Sequence, residues 1–100
     1  MYTQQELINK LTPIFEEYPI KRAALFGSYA RGDQTDESDL DVFIEIDDSA
    51  DIVSVFFGFW DELEDKISLK ADVLTPGSLT TAPGRFRERI LSELRYIYEA

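Results

Sequence analysis

Asp39 and Asp41 stand two positions apart at the head of the run Asp39-Leu40-Asp41-Val42-Phe43-Ile44-Glu45-Ile46, and Asp72 lies inside a later apolar run, Leu69 to Leu74. In an extended chain alternate residues share a face. Asp39 and Asp41 therefore point the same way as Phe43 and Glu45, while Leu40, Val42, Ile44 and Ile46 form a core face. Like charges on one face repel, and either water or a cation must relieve that cost. If the run holding Asp72 pairs with the first, a third carboxylate joins the pair. Three convergent oxygen donors suit a hard divalent cation, above all Mg²⁺. The chain has no histidine and no cysteine. That excludes Ser-His-Asp and Cys-His catalysis, imidazole-bound or thiolate-bound zinc, and disulfides. The plainer reading of the same acids is solvation, since Asp39 sits in a polar stretch with Asp33, Asp36, Glu37 and Ser38 that also reads as loop.

Upstream, Gly27-Ser28 directly follows a short apolar run and precedes Tyr29-Ala30-Arg31-Gly32. Glycine lets a ligand approach the backbone closely, and the free amides with the Ser28 hydroxyl can hold phosphate oxygens. Arg31 adds a fixed positive charge nearby, or else serves as a surface partner for the neighbouring acids. The GK[ST] ending of a Walker A loop is missing. A Gly-Ser turn alone is an ordinary tight turn; joined to paired aspartates within one short segment, it points to phosphate chemistry.

The elements that must position these groups are legible from periodicity. Thr3-Gln4-Gln5-Glu6 has the form of a capping box, and Leu7, Ile8, Leu11, Ile14 and Phe15 follow at helical spacing. Pro13 should kink or restart that helix, with Thr12 as a second cap, and Pro19 should end it. Arg22 to Phe26 reads as a strand, Ser28 to Gly32 as a turn or short helix, and Leu40 to Ile46 as the clearest strand. Asp51 should cap a helix reaching about Lys66, with Ile52, Val53, Phe56, Phe59, Trp60, Leu63 and Ile67 as one apolar stripe and Phe57 at its exposed edge. Leu69 to Leu74 reads as a third strand stopped by Thr75-Pro76-Gly77. A last helix from Gly84 should carry Phe86, Ile90, Leu94 and Ile97. The expectation is an α/β (α+β) fold: one domain over residues 1–100 with a small, mixed three-stranded sheet packed with helices.

The totals narrow the function classes. Twenty acidic against ten basic residues give a net charge of −10, which repels nucleic-acid backbones and suits divalent cations or a basic protein partner. No apolar run approaches the roughly 20 residues needed to span a bilayer. Met1 to Lys10 has no basic-then-apolar leader, so a cytoplasmic location without membrane attachment is expected.

Together, Gly27-Ser28-Tyr29-Ala30-Arg31-Gly32 and Ser38-Asp39-Leu40-Asp41 resemble the GS…(S)D-x-D signature of the DNA polymerase β-like nucleotidyltransferases. The intervening Ala-Arg-Gly, the short length and the later strand acid bring the chain closest to the minimal nucleotidyltransferases (MNT), the antitoxin halves of MNT–HEPN toxin–antitoxin pairs. The resemblance covers nearly the whole chain. It implies that Gly27 and Ser28, with Arg31, hold the phosphates of a nucleotide. It implies further that Asp39 and Asp41 bind two Mg²⁺ ions and that Asp72 completes the metal triad and activates the attacking hydroxyl. The implied reaction is transfer of AMP from ATP to a tyrosine hydroxyl of a HEPN toxin partner. The implied alternatives are a non-catalytic antitoxin that acts by complex formation, and a nucleotide-binding regulatory domain. Phe57, Tyr96 and Tyr98 are the candidates for an exposed apolar contact, or for the domain's own core edge.

Overall fold

Thr3 starts the first helix as its sequence predicts: its hydroxyl accepts from Glu6 N at 3.1 Å, and Glu6 Oε1 accepts from Thr3 N at 2.8 Å. The computed structural model describes residues 1–100, and this helix, α1, spans Gln4–Glu17 without a break. Pro13 does not restart it. Pro13 lies on the exposed side, where exposed Asn9, the residue it leaves without a partner, can be hydrated. Thr12 is no cap either, because its hydroxyl donates to Ile8 O at 2.6 Å inside the helix.

The chain continues through β1 (Ile20–Phe26), α2 (Ser28–Arg31), β2 (Leu40–Ile46), α3 (Ile52–Ile67), β3 (Ala71–Leu74), α4 (Pro76–Thr80), α5 (Gly84–Glu93) and β4 (Arg95–Glu99). Four strands, ordered β3-β2-β1-β4, replace the three expected. The β1/β2 and β1/β4 pairs are antiparallel and β2/β3 is parallel, so the sheet is mixed as expected. The extra strand comes from the end of the last predicted helix. Arg95-Tyr96-Ile97-Tyr98-Glu99 is rich in β-formers, and pairing with β1 outweighed a helical period that also ran through Leu94 and Ile97. Thr75-Pro76-Gly77, expected only as a stop, opens α4: Thr75 forms a capping box with Ser78, and Pro76 takes the first helical position.

Both faces of the sheet are covered. Leu40, Val42, Ile44 and Ile46 join Leu7, Leu11, Phe15, Phe59 and Leu63 in the larger core under α1 and α3. Phe26, Phe43 and Ala24 meet Leu79 of α4 and Ile90 of α5 in a smaller cluster on the other face. The predicted α3 stripe is only partly buried: Phe59, Leu63 and Ile67 are inside, whereas Ile52 and Val53 join Phe57 in solvent. Those two precede the part of α3 that lies on the sheet, so the stripe outruns the surface available to cover it. Tyr96 is exposed and Tyr98 half-buried against Phe15. No helix is long and apolar enough to cross a membrane.

Candidate functional site

The site grows from the sheet. Antiparallel pairing sets Phe26 opposite Asp41, and parallel pairing sets Asp41 opposite Asp72, so the three residues form one row across β1, β2 and β3. Alternation puts Asp41 on the face of Phe43, the one covered by α4 and α5. Asp39 lies just ahead of β2 at the same parity and is exposed. The smaller cluster reaches this row only at Phe26, and the strip beside it opens as a cleft of about 570 Å³. The cleft collects every residue singled out by sequence: Gly27, Ser28, Arg31, Asp39, Asp41 and Asp72.

Gly27 is demanded twice. Its backbone sits at φ 72° and ψ −154°, a region essentially restricted to glycine. A Cβ placed there would lie 3.1 Å from Asp41 Cγ and closer still to Oδ2. The backbone of the turn therefore rests directly against the Asp41 carboxylate. Beyond it, α2 is anchored by buried Tyr29 and by Gln4, whose Nε2 donates to Tyr29 O at 2.8 Å and to Ala30 O at 3.2 Å. Ser28 is the first residue of α2 and faces the cleft.

Arg31 is not a free cation. Its Nε donates to Asp33 Oδ2 at 3.1 Å and its Nη1 to Glu93 Oε2 at 3.0 Å. Arg31 lines the cleft, and the second reading, a salt-bridge partner of nearby acids, is the one its contacts bear out. The other oxygen of Glu93 accepts from Gly27 N at 3.1 Å. The Gly27 amide, expected to be free, is thus already taken.

Glu93 was invisible to sequence reasoning, as were Phe86 and Arg89 on α5 and Trp60 on α3, all of which line the cleft. The spacing of Phe86, Ile90 and Glu93 marks one helical face, but only the tertiary fold reveals which polar residues that face delivers. Because Glu93 is mostly buried and holds two partners, Glu93→Gln should lower stability by about 1 kcal/mol. It should also speed hydrogen exchange at the Gly27 amide, and NMR exchange measurements check both the site and the direction.

The three aspartates have no cationic partner; the five ion pairs of the structure use other acids. Asp41 is the strained one. Its carboxyl is pushed up to about 6 from the usual 3.8, first by burial, then by the charges of Asp72 and Asp39, with Arg31 opposing and Glu93 adding a smaller push. Such a set fits a divalent cation chemically: hard oxygen donors, excess negative charge, and no softer ligand. The acids do not close into a cage, since no three of the chain's acidic side chains are gathered tightly enough to hold one ion.

The comparisons with known proteins bear on this cleft. The family described as "Polymerase beta, Nucleotidyltransferase" matches residues 9–100. Two relatives from Methanocaldococcus jannaschii, both candidate protein adenylyltransferases by name, are 41 % and 34 % identical. The first alignment covers 64 % of this chain and 73 % of the relative, the second 88 % and 90 %. Among solved structures, a toxin–antitoxin with AMP-PNP shares the fold at TM-score 0.71 and 19 % identity, over 93 % of this chain and 73 % of the other. A second, an AMPylated Shewanella oneidensis HEPN toxin in complex with its MNT antitoxin, aligns at TM-score 0.67 and 16 % identity, over 98 % and 74 %. With the family matched across nearly its full length and the fold shared, this chain belongs to the polymerase β family of nucleotidyltransferases.

Proposed function

We propose that the chain transfers AMP from ATP to a tyrosine hydroxyl of a HEPN-type toxin and so acts as the antitoxin of that pair. The observation that carries the proposal is the juxtaposition, in one cleft, of the Gly27-Ser28 turn with three aspartates that no cation of the chain neutralises. The names of the relatives, protein adenylyltransferases and toxin–antitoxin complexes, support the same reading.

Each residue then has a physical task. The Ser28 hydroxyl and the backbone of the turn bind the phosphate chain, and glycine at position 27 leaves room for it above Asp41. Asp33 and Glu93 fix the Arg31 guanidinium at the edge of the cleft, and its remaining N–H groups can donate to a phosphate oxygen. Asp39, Asp41 and Asp72 would hold Mg²⁺, which supplies neutralisation of the charge that builds up on the phosphates as the leaving group departs. Asp72 is exposed at the sheet edge, and its carboxylate takes the proton of the incoming hydroxyl. The hydroxyl oxygen bonds to the α-phosphorus, the bond from that phosphorus to the bridging oxygen breaks, and pyrophosphate leaves with the electron pair. The chain mainly positions these groups, as phosphoryl chemistry requires.

Co-expression with the partner toxin tests the proposal. Wild-type chain should leave AMP on the toxin, read by mass spectrometry, and restore growth. Asp39→Ala and Asp72→Ala should leave the toxin unmodified and growth arrested. Full neutralisation by those variants, with no adduct on the toxin, would instead mean that binding alone disarms it.

A further inference from the structure

We propose that the cleft-facing side of α5 completes the nucleotide site, Arg89 binding the polyphosphate and Phe86 stacking on the base. This rests on the nucleotidyl-transfer reading above and adds the residues that would select a nucleoside triphosphate. Both side chains line the same cleft as the aspartates. The Arg31 guanidinium is bound by two acids, whereas Arg89 takes part in none of the structure's ion pairs. In a chain with 20 acidic and 10 basic residues, a guanidinium in no ion pair that lines the same cleft is the natural receptor for an anion brought from outside. Its fork matches two phosphate oxygens.

The geometry of α5 orders these contacts. Ile90 is 1 % exposed in the smaller core cluster and fixes the rotation of the helix. Phe86, Arg89 and Glu93 then share the face turned to the cleft, being three or four residues apart. Glu93 touches Gly27 at the inner end. At 1.5 Å per residue, Arg89 lies about 6 Å and Phe86 about 10 Å farther out along the axis. A nucleotide laid along α5 with its phosphates at Gly27-Ser28 would meet Arg89 first and Phe86 last. Phe86 is 39 % exposed, with the Arg89 guanidinium 5.5 Å from its ring centre. A part-exposed ring with a guanidinium over it offers a base both a stacking partner and a cation.

Calorimetric titration of the full chain with ATP, AMP and inorganic tripolyphosphate, each with Mg²⁺, tests this on wild type, Arg89→Ala, Arg89→Lys and Phe86→Ala. Both positions are exposed, so the variants should stay folded, with melting curves as the check; Phe86→Ala should melt slightly lower because its ring is only 39 % exposed. Arg89→Ala should weaken ATP and tripolyphosphate by roughly 10-fold or more and leave AMP nearly unchanged, with Arg89→Lys between the two. Phe86→Ala should weaken ATP and AMP alike, again by roughly 10-fold, and leave tripolyphosphate unchanged. Wild-type ATP affinity in Arg89→Ala and Phe86→Ala overturns the inference, including the case in which those variants lose only transfer to a protein, which would make this face an acceptor contact. If wild type itself fails to bind ATP, the inference and the nucleotidyl-transfer reading fall together.

Discussion

Asp41→Asn should cut the proposed transfer sharply and at the same time make the fold more stable at neutral pH. The loss follows from removing one of the carboxylates that would hold the cation neutralising the phosphates, and a fall on the order of 10²–10³-fold or more is expected. The gain follows from the electrostatics of the ligand-free cleft. Asp41 is half-buried and repelled by Asp72 and Asp39, and its carboxyl titrates at about 6 instead of 3.8. A carboxyl raised in the folded state holds its proton where the unfolded chain has released it. Stability therefore falls as pH rises from about 3.8 to about 6 and stays lowered above that. The full shift would correspond to about 3 kcal/mol; partial contact with water reduces it to roughly 1–2 kcal/mol. Denaturant unfolding in a chelator should show Asp41→Asn ahead of wild type by that amount at pH 7.5, with the advantage gone near pH 4. A variant less stable than wild type at pH 7.5 would mean that Asp41 is tied down by contacts that outweigh the repulsion.

Gly27→Ala should damage both fold and function. The positive φ costs an L-residue about 1–2 kcal/mol, and the new Cβ would drive into the Asp41 carboxylate. Together these predict a loss of roughly 2–4 kcal/mol in unfolding experiments. Because the turn and Asp41 must separate, transfer should also fall on the order of 10²-fold even where the variant is folded. Gly32→Ala is the control. It shares a positive φ, 85°, but has nothing within 4 Å of an added Cβ. It should lose only about 1 kcal/mol and keep its activity. Equal effects at the two glycines would place the requirement in backbone conformation alone and not in the approach to Asp41.

The parts of this site that are legible in sequence are those set by local rules. Strand alternation places Asp39 and Asp41 on one face, and β2 occupies the predicted residues Leu40–Ile46. Asp51 caps α3 through Ser54 N, as its position before an apolar helix predicts. What local rules leave open is strand partnership: Asp72 becomes relevant only through the parallel register that sets it opposite Asp41. The same limit hides Glu93. Nothing in Leu91-Ser92-Glu93-Leu94 distinguishes that acid until α5 packs over β1 through Ile90 and brings it to the Gly27 amide. The misread end of α5 has a similar origin. Leu94 and Ile97 fit a helical period, and the β-formers of Arg95–Glu99 win only because β1 offers an edge to pair with.

Paired incubations of the purified chain with its partner toxin and Mg²⁺, one with ATP labelled at the α-phosphate and the other with ATP labelled at the γ-phosphate, test the central claim most directly. Attack at the α-phosphorus predicts label on the toxin from the α position only, with pyrophosphate released in equal amount, and no label in Asp39→Ala. Label arriving from the γ position, or none from either with wild-type chain and neutralised toxin, would contradict it.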